Sequence, residues 1–348
     1  MLLIDKLKIV KKRLLNKIKS RLGIGNRDIL KRGNLPAYFK QLPRVLSTPV
    51  GNEFFDKKDV LHSTYSTKKE ASKIPNSFWV ETQNKSELIR YYPAGLKPTD
   101  NKSVMVYFSG DVLLRTARGE RLVTSSYTKS SPDSILKMME KWKISANNTP
   151  AIFIARPGIY GSSGNHQDSR KIDEIFLMEK ALDLLKQKYK IKEFIICGQS
   201  GGGLITAAML NLRNDISAAV ITSGLLTTHL LDRRFRKLRK TPGVKKTPLV
   251  KLYDPTLNID DIQIDPQPTI IVISDPRDQA VPFYSQSIYV RKLREKGMIV
   301  HHIFAHAALP KRHALAIHGK KAAALIAKGI DIKSIRIAMI DEDIKHAN

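Results

Sequence analysis

The feature that most limits what this chain can become is a rhythm. From Ser103 onward, short apolar runs of strand length alternate with longer stretches at helical spacing. VMVYFSG, AIFIARPG (Ala151 to Gly158), EFIICG (Glu193 to Gly198), ISAAVITSG (Ile216 to Gly224), TIIVIS (Thr269 to Ser274) and MIVHHIF (Met298 to Phe304) read as buried strands. Helical patterns fall between and after them, near 132–142, 172–189, 200–212, 284–295 and 314–327. Apolar strands separated by helices suit a mostly parallel sheet covered on both faces, an α/β architecture. With 348 residues, 42% of them hydrophobic, the chain can fill a core of one or two domains. Collagen, coiled coil and wholesale disorder are thereby excluded. The one cysteine, Cys197, cannot form an internal disulfide and reads as an inert core residue, compatible with a reducing, cytoplasmic setting. No apolar stretch approaches the length of a membrane span.

Chemistry concentrates where the third of these strands ends. Gly198-Gln199-Ser200-Gly201-Gly202 fits G-x-S-x-G between an apolar strand and an Ala- and Leu-rich helix. The bare pattern is weak evidence; its strand-to-helix context makes it strong. Glycines are needed there because bulky neighbours of a serine in a strained turn would collide with adjacent elements. The following helix aims its free N–H groups at the same spot, so Gly201 is the expected oxyanion donor. A phosphate-binding turn is the competing reading, but neither GK[ST] nor G-x-G-x-x-G is present.

A serine hydroxyl needs a base, and the base a carboxylate to fix its tautomer. TIIVISDPRDQAVP offers two aspartates just past a late strand. Asp278 lies far enough into the loop to turn back to the sheet edge, whereas Asp275 suits the Asp-Pro turn. Of the late histidines, His301 and His302 lie within a strand and His318 over a turn into the last helix, where a surface position is expected. His313, in KRHALAIHG just before that helix, is the preferred base, with His306 behind it. A second oxyanion donor is expected after FSGD, from the N–H of Asp111 or Val112, with the Asp111 carboxylate pointing away. Arg115 either neutralises that carboxylate, holds an acidic substrate group or is a plain surface residue.

GQSGGG, RPGIYGSSGNH, DPRDQAV and RHAL together resemble the α/β-hydrolase superfamily, near its serine peptidases and carboxylesterases, over Ser103 to about Ala327. The resemblance implies an eight-stranded, mostly parallel sheet with helices on both faces, a Ser200-Asp278-His313 triad, no metal and no organic cofactor. ARPGIYGSSG is similar to the family's Gly-rich loop that lines the approach to the site. Gly110, Arg115, Gln199, Gly161 and Ser162 are accordingly expected around the substrate, although the serines of that loop serve equally as turn formers. Ser109-Gly110 departs from the familiar His-Gly before the oxyanion loop, which leaves the second donor open.

The domain organisation follows: residues 1–98 a basic extension, 99–330 the hydrolase domain with residues 224–268 as a lid insertion, and 331–348 a tail. Within 224–268 the run RRFRKLRK fits a solvated basic helix at least as well as a lid. Met1 to Gly23 places Leu3, Leu7, Val10, Leu14, Ile18 and Leu22 on one helical face with lysines and arginines opposite. That pattern fits an anionic membrane surface or packing on the protein's own core. Asp5 and Lys6 break the run a secretory signal would need. Sixty Lys and Arg give a net charge of +28, which motivates a second hypothesis: a non-catalytic polyanion- or membrane-binding protein on a hydrolase scaffold. No nucleic-acid recognition motif is readable. Ordered as Ser, Asp, His, the three candidates favour a hydrolase acting on a small acyl substrate, with the oligomeric state open.

Overall fold

The computed structural model describes residues 27–29, 42–115, 121–229 and 252–347. Eight strands form one sheet: β1 (Ser77–Glu81), β2 (Ser86–Ala94), β3 (Asn101–Phe108), β4 (Ala151–Ile154), β5 (Ile191–Gln199), β6 (Ile216–Thr222), β7 (Thr269–Ser274) and β8 (Val300–Phe304). Their order across the sheet is β1-β2-β4-β3-β5-β6-β7-β8. Only β2 runs against its neighbours, pairing antiparallel with β1 and β4; every other pairing is parallel. The eight-stranded, mostly parallel sheet implied by the sequence is the one observed.

Among the described residues the long helices that cover it are α1 (Pro132–Ser145), α2 (Ile172–Tyr189), α3 (Gly201–Leu212), α4 (Phe283–Glu295), α5 (Ala316–Ala327) and α6 (Ile332–Ala347). Successive strand residues point to opposite faces, and the core divides accordingly. Phe194 and Ile196 of β5 join Val104, Val106 and Phe108 of β3 beneath α2, α3 and α4. Ile195 and Cys197 join Met105 and Tyr107 beneath α1, α5 and α6. Both faces being covered, these strands lack polar alternation and read as continuous apolar runs.

Two boundaries move. The sheet begins upstream of residue 99, because β1 and β2 lie within what was expected to be a basic extension. Charged residues and a proline concealed them: β2 contains Glu87, Arg90 and Pro93. Arg90 is nonetheless buried, donating to the Pro49 carbonyl at 2.9 Å with its guanidinium over the Tyr92 ring. At the other end, residues 332–347 form α6 rather than a loose tail, with Ile335 and Met339 fully buried. Residues 252–268 are packed too: Tyr253, Ile259 and Ile262 enter the core, and Asn211 of α3 donates to the Asn258 carbonyl at 2.6 Å. The basic run at 233–240 and the amphipathic pattern at 1–23 lie outside the described residues. Among the described residues no helix is long and apolar enough to cross a membrane.

Candidate active site

Ser200 occupies the bend between β5 and α3 with φ 57° and ψ −114°, a conformation costing an L-residue about 1–3 kcal/mol. Packing holds it there. A Cβ on Gly202 would lie 2.1 Å from the Phe108 carbonyl oxygen, and one on Gly198 would lie 2.1 Å from the carbonyl oxygen of Gly202. Strand end and helix start thus approach closer than any side chain permits. The Ser200 N–H donates to the Thr222 carbonyl at 2.8 Å, tying the bend to β6. Gly110, at the end of the neighbouring β3, lies against the serine: a Cβ there would be 3.3 Å from that of Ser200.

The structure brings Asp278 and His313 together. His313 Nδ1 is 2.7 Å from Asp278 Oδ2, whose side chain is fully buried. The other carboxylate oxygen accepts the N–H groups of Ala280, at 2.7 Å, and Val281, at 3.0 Å. A carboxylate oxygen accepts in this contact, so Nδ1 is its donor. Gln199 ties this pair to the bend: its amide donates to the His313 carbonyl at 2.8 Å, while its side-chain oxygen accepts from Thr222 Oγ1 and the Leu315 N–H. Expected beside the substrate, Gln199 is buried and braces the strand that ends at Ser200 to the loop that carries His313.

The other candidates occupy different places. Asp275 is fully buried and accepts the N–H groups of Arg277 and Ala307, shaping the turn after β7. His306 is exposed, and its backbone N–H donates to Asp343. His318 is buried at 2% exposure, not on the surface, because α6 covers it and Asp343 lies 2.9 Å from its Nε2. His302 stacks on Phe283 and contacts Ser274.

The side on which an oxyanion was expected differs most from expectation. The N–H of Gly201 lies in the first turn of α3, where no intrahelical partner exists. Val112 N–H is engaged by His166 Nε2 at 3.3 Å, which leaves the Asp111 N–H as the candidate second donor. The Asp111 carboxylate does not point away from the bend: a Cβ on Gly201 would meet its Oδ1 at 2.2 Å. Two arginines, 2.8 and 2.9 Å away, compensate its charge: Arg156, fully buried, and Arg170. Burial alone would raise the acid's pKa, but Arg170 and Arg156 hold it well below the usual carboxylate range. Arg156 also forks onto Glu174 at 2.9 and 3.1 Å and reaches the Ser109 carbonyl at 3.1 Å. Burial, with Arg156 nearby, pushes His166 down to about 4, so it is a neutral acceptor at physiological pH.

Sequence reasoning missed Arg156, Glu174, Arg170 and His166. The available signal was a charged residue directly after a wholly apolar strand, AIFI-A-Arg156. Arg115 belongs to a strand segment, Leu113–Arg115, paired with Arg121–Thr124; its side chain lies outside the described residues. Gly161 and Ser162 shape their loop: Ser162 Oγ donates to the Ala155 carbonyl and accepts the Arg90 N–H, and Gly161 has φ 81° with Arg90 against it. Among the described residues no cluster of potential metal ligands occurs.

No family model matches the chain, and no curated protein matches its sequence. Solved structures do resemble it. AbyA5 is 13% identical with a TM-score of 0.51, over 80% of this chain and 75% of that one. An esterase of Pyrococcus furiosus is 15% identical, TM-score 0.49, over 82% and 97%. Pyrococcus horikoshii acylaminoacyl peptidase is 12% identical, TM-score 0.49, over 74% and 43%, so this chain spans less than half the length of that peptidase. Strand order, the antiparallel β2 and the strand–serine–helix bend give this chain the α/β-hydrolase fold.

Proposed function

We propose that the protein is a serine hydrolase that cleaves an ester, thioester or amide through an acyl-enzyme, with Ser200 as nucleophile, His313 as base and Asp278 as its orienting acid. The observation that carries this reading is the 2.7 Å contact between His313 Nδ1 and Asp278, braced by Gln199 to the strand that presents Ser200. Ser200 Oγ attacks the acyl carbonyl as its proton passes to His313 Nε2. The developing oxyanion accepts the N–H groups of Gly201 and Asp111. The bond to the leaving group then breaks, and the proton held on Nε2 passes to the departing oxygen, sulfur or nitrogen. Water, deprotonated by the same nitrogen, releases the acid and restores the serine. Asp111 tolerates an anion nearby because Arg156 and Arg170 neutralise it. We favour small ester-like substrates.

Labelling by a fluorophosphonate probe tests the assignment. It is expected for the native chain and lost in both Ser200→Ala and His313→Ala; retention in Ser200→Ala would assign the chemistry to another serine. Rates on p-nitrophenyl esters of graded chain length, set against aminoacyl arylamides, then separate esterase from peptidase.

A further inference from the structure

A recess lies on the face of the sheet opposite α3. It is a groove of about 700 Å³ between α1 and α5, within the size range of small-molecule sites. Met138 and Trp142 of α1 and Leu325 of α5 give it apolar lining, and Lys137 and Lys141, both exposed, line it together with the more deeply set Lys320. Trp142 is buried, and its one polar atom is satisfied by the Lys320 carbonyl at 2.7 Å, so the ring offers the groove only apolar surface.

Among the described residues these three lysines have no ion-pair partner. Lys321 is paired with Glu342 at 2.8 Å, and Glu140 with Lys143 at 2.6 Å on α1. Among the described residues no carboxylate forms an ion pair with Lys137, Lys141 or Lys320. Lys320 is the most confined: its ammonium is 3.3 Å from Met138 Sδ and 4.8 Å from the centre of the Tyr107 ring. A sulfur and a ring face are weak compensation for a cation drawn out of water, and burial lowers its pKa accordingly.

We infer that this groove binds a single-chain fatty-acid anion, its tail along Met138, Trp142 and Leu325 and its carboxylate on the lysines. The charge of the lining selects this occupant. A neutral lipid would leave the three ammonium groups as they are, and the chain's own basic N-terminal stretch would add like charge. A recess between two helices also suits one monomeric chain better than a flat membrane surface. The site does not depend on the hydrolase reading, because it lies across the sheet from α3 and uses none of the triad.

The test uses the full chain carrying Trp79→Phe and Ser200→Ala, in which Trp142 is the sole remaining tryptophan and acyl chemistry plays no part. Titration with laurate below its micellar concentration should change Trp142 emission saturably. Laurate should bind at least about tenfold more tightly than dodecanol, and Lys137→Glu with Lys141→Glu should weaken it by about tenfold or more. Lys320→Met, which keeps the stem and removes the buried charge, should also weaken laurate while leaving dodecanol unchanged. It decides the matter if the charge-reversed chain fails to fold by circular dichroism. Equal affinity for laurate and dodecanol, or no saturable change, overturns the proposal. So does tighter binding of dodecyl phosphate, or binding confined to phosphatidylglycerol vesicles.

Discussion

The two arms of the candidate site are secured by different physics. Around Ser200 the chain is held by exclusion: Gly198, Gly201 and Gly202 sit where any Cβ would overlap a carbonyl or carboxylate. Around Asp278 and His313 it is held by directed hydrogen bonds, two backbone N–H groups on the acid and the Gln199 bridge on the histidine loop. Steric locks fail by unfolding the neighbourhood, whereas hydrogen-bonded arms fail by losing orientation while the fold persists. Substitutions on the two sides should therefore report in different assays.

The largest expected effect is on rate. Asp278→Asn keeps an acceptor for Ala280 and Val281 but presents an amide to His313, so kcat/KM on a p-nitrophenyl ester should fall by about 10⁴-fold while the denaturation midpoint barely moves. A large drop in stability would show that this arm is as structural as the bend. Next comes Arg156→Met, which leaves Glu174 buried without its partner and should cost about 3–5 kcal/mol of stability by urea titration. Gly202→Ala should cost about 3 kcal/mol, since the obstacle is the Phe108 backbone and cannot swing aside; near-native stability would dissolve the steric half of the contrast. Gln199→Ala should lower kcat by about 100-fold with little change in KM, because the brace acts on His313 rather than on substrate.

The smallest effect is in the pH dependence. His166 has its pKa pushed down from 6.5 to about 4, so below 6.5 the unfolded chain binds the extra proton first. Its contribution is full above 6.5 and is lost as the pH falls towards 4. His166→Gln should flatten that part of the stability profile measured by thermal melts. His302, likewise pushed down to about 4, should retain its own share of the slope.

Much of this was legible in the sequence, for a reason specific to each element. β4 to β7 are largely apolar on both faces and announce themselves, as does the second half of β3; Gly198 to Gly202 reads clearly because steric locks require one residue type. Asp278 and His313 were placed by chain order and loop position. β1 and β2 were not readable, since Glu87 and Arg90 are satisfied by Ser163 and Pro49, which are distant in sequence. Arg156 with Glu174 and Asp111 escaped for the same reason: local pattern does not encode partners 18 and 45 residues away. His318 looked exposed because nothing in its own helix foretells that α6 folds back over it.

Cys197 has a practical consequence. It lies in the buried part of β5, one residue before the glycine of the bend, with Gly319 of α5 pressed so close that a Cβ there would lie 3.1 Å from the sulfur. Burial pushes its thiol up to about 12, so an alkylating reagent finds neither access nor thiolate while the sheet stays closed. As the chain holds only this cysteine, the speed of iodoacetamide uptake becomes a clock for transient opening of the core at the very strand that carries the serine.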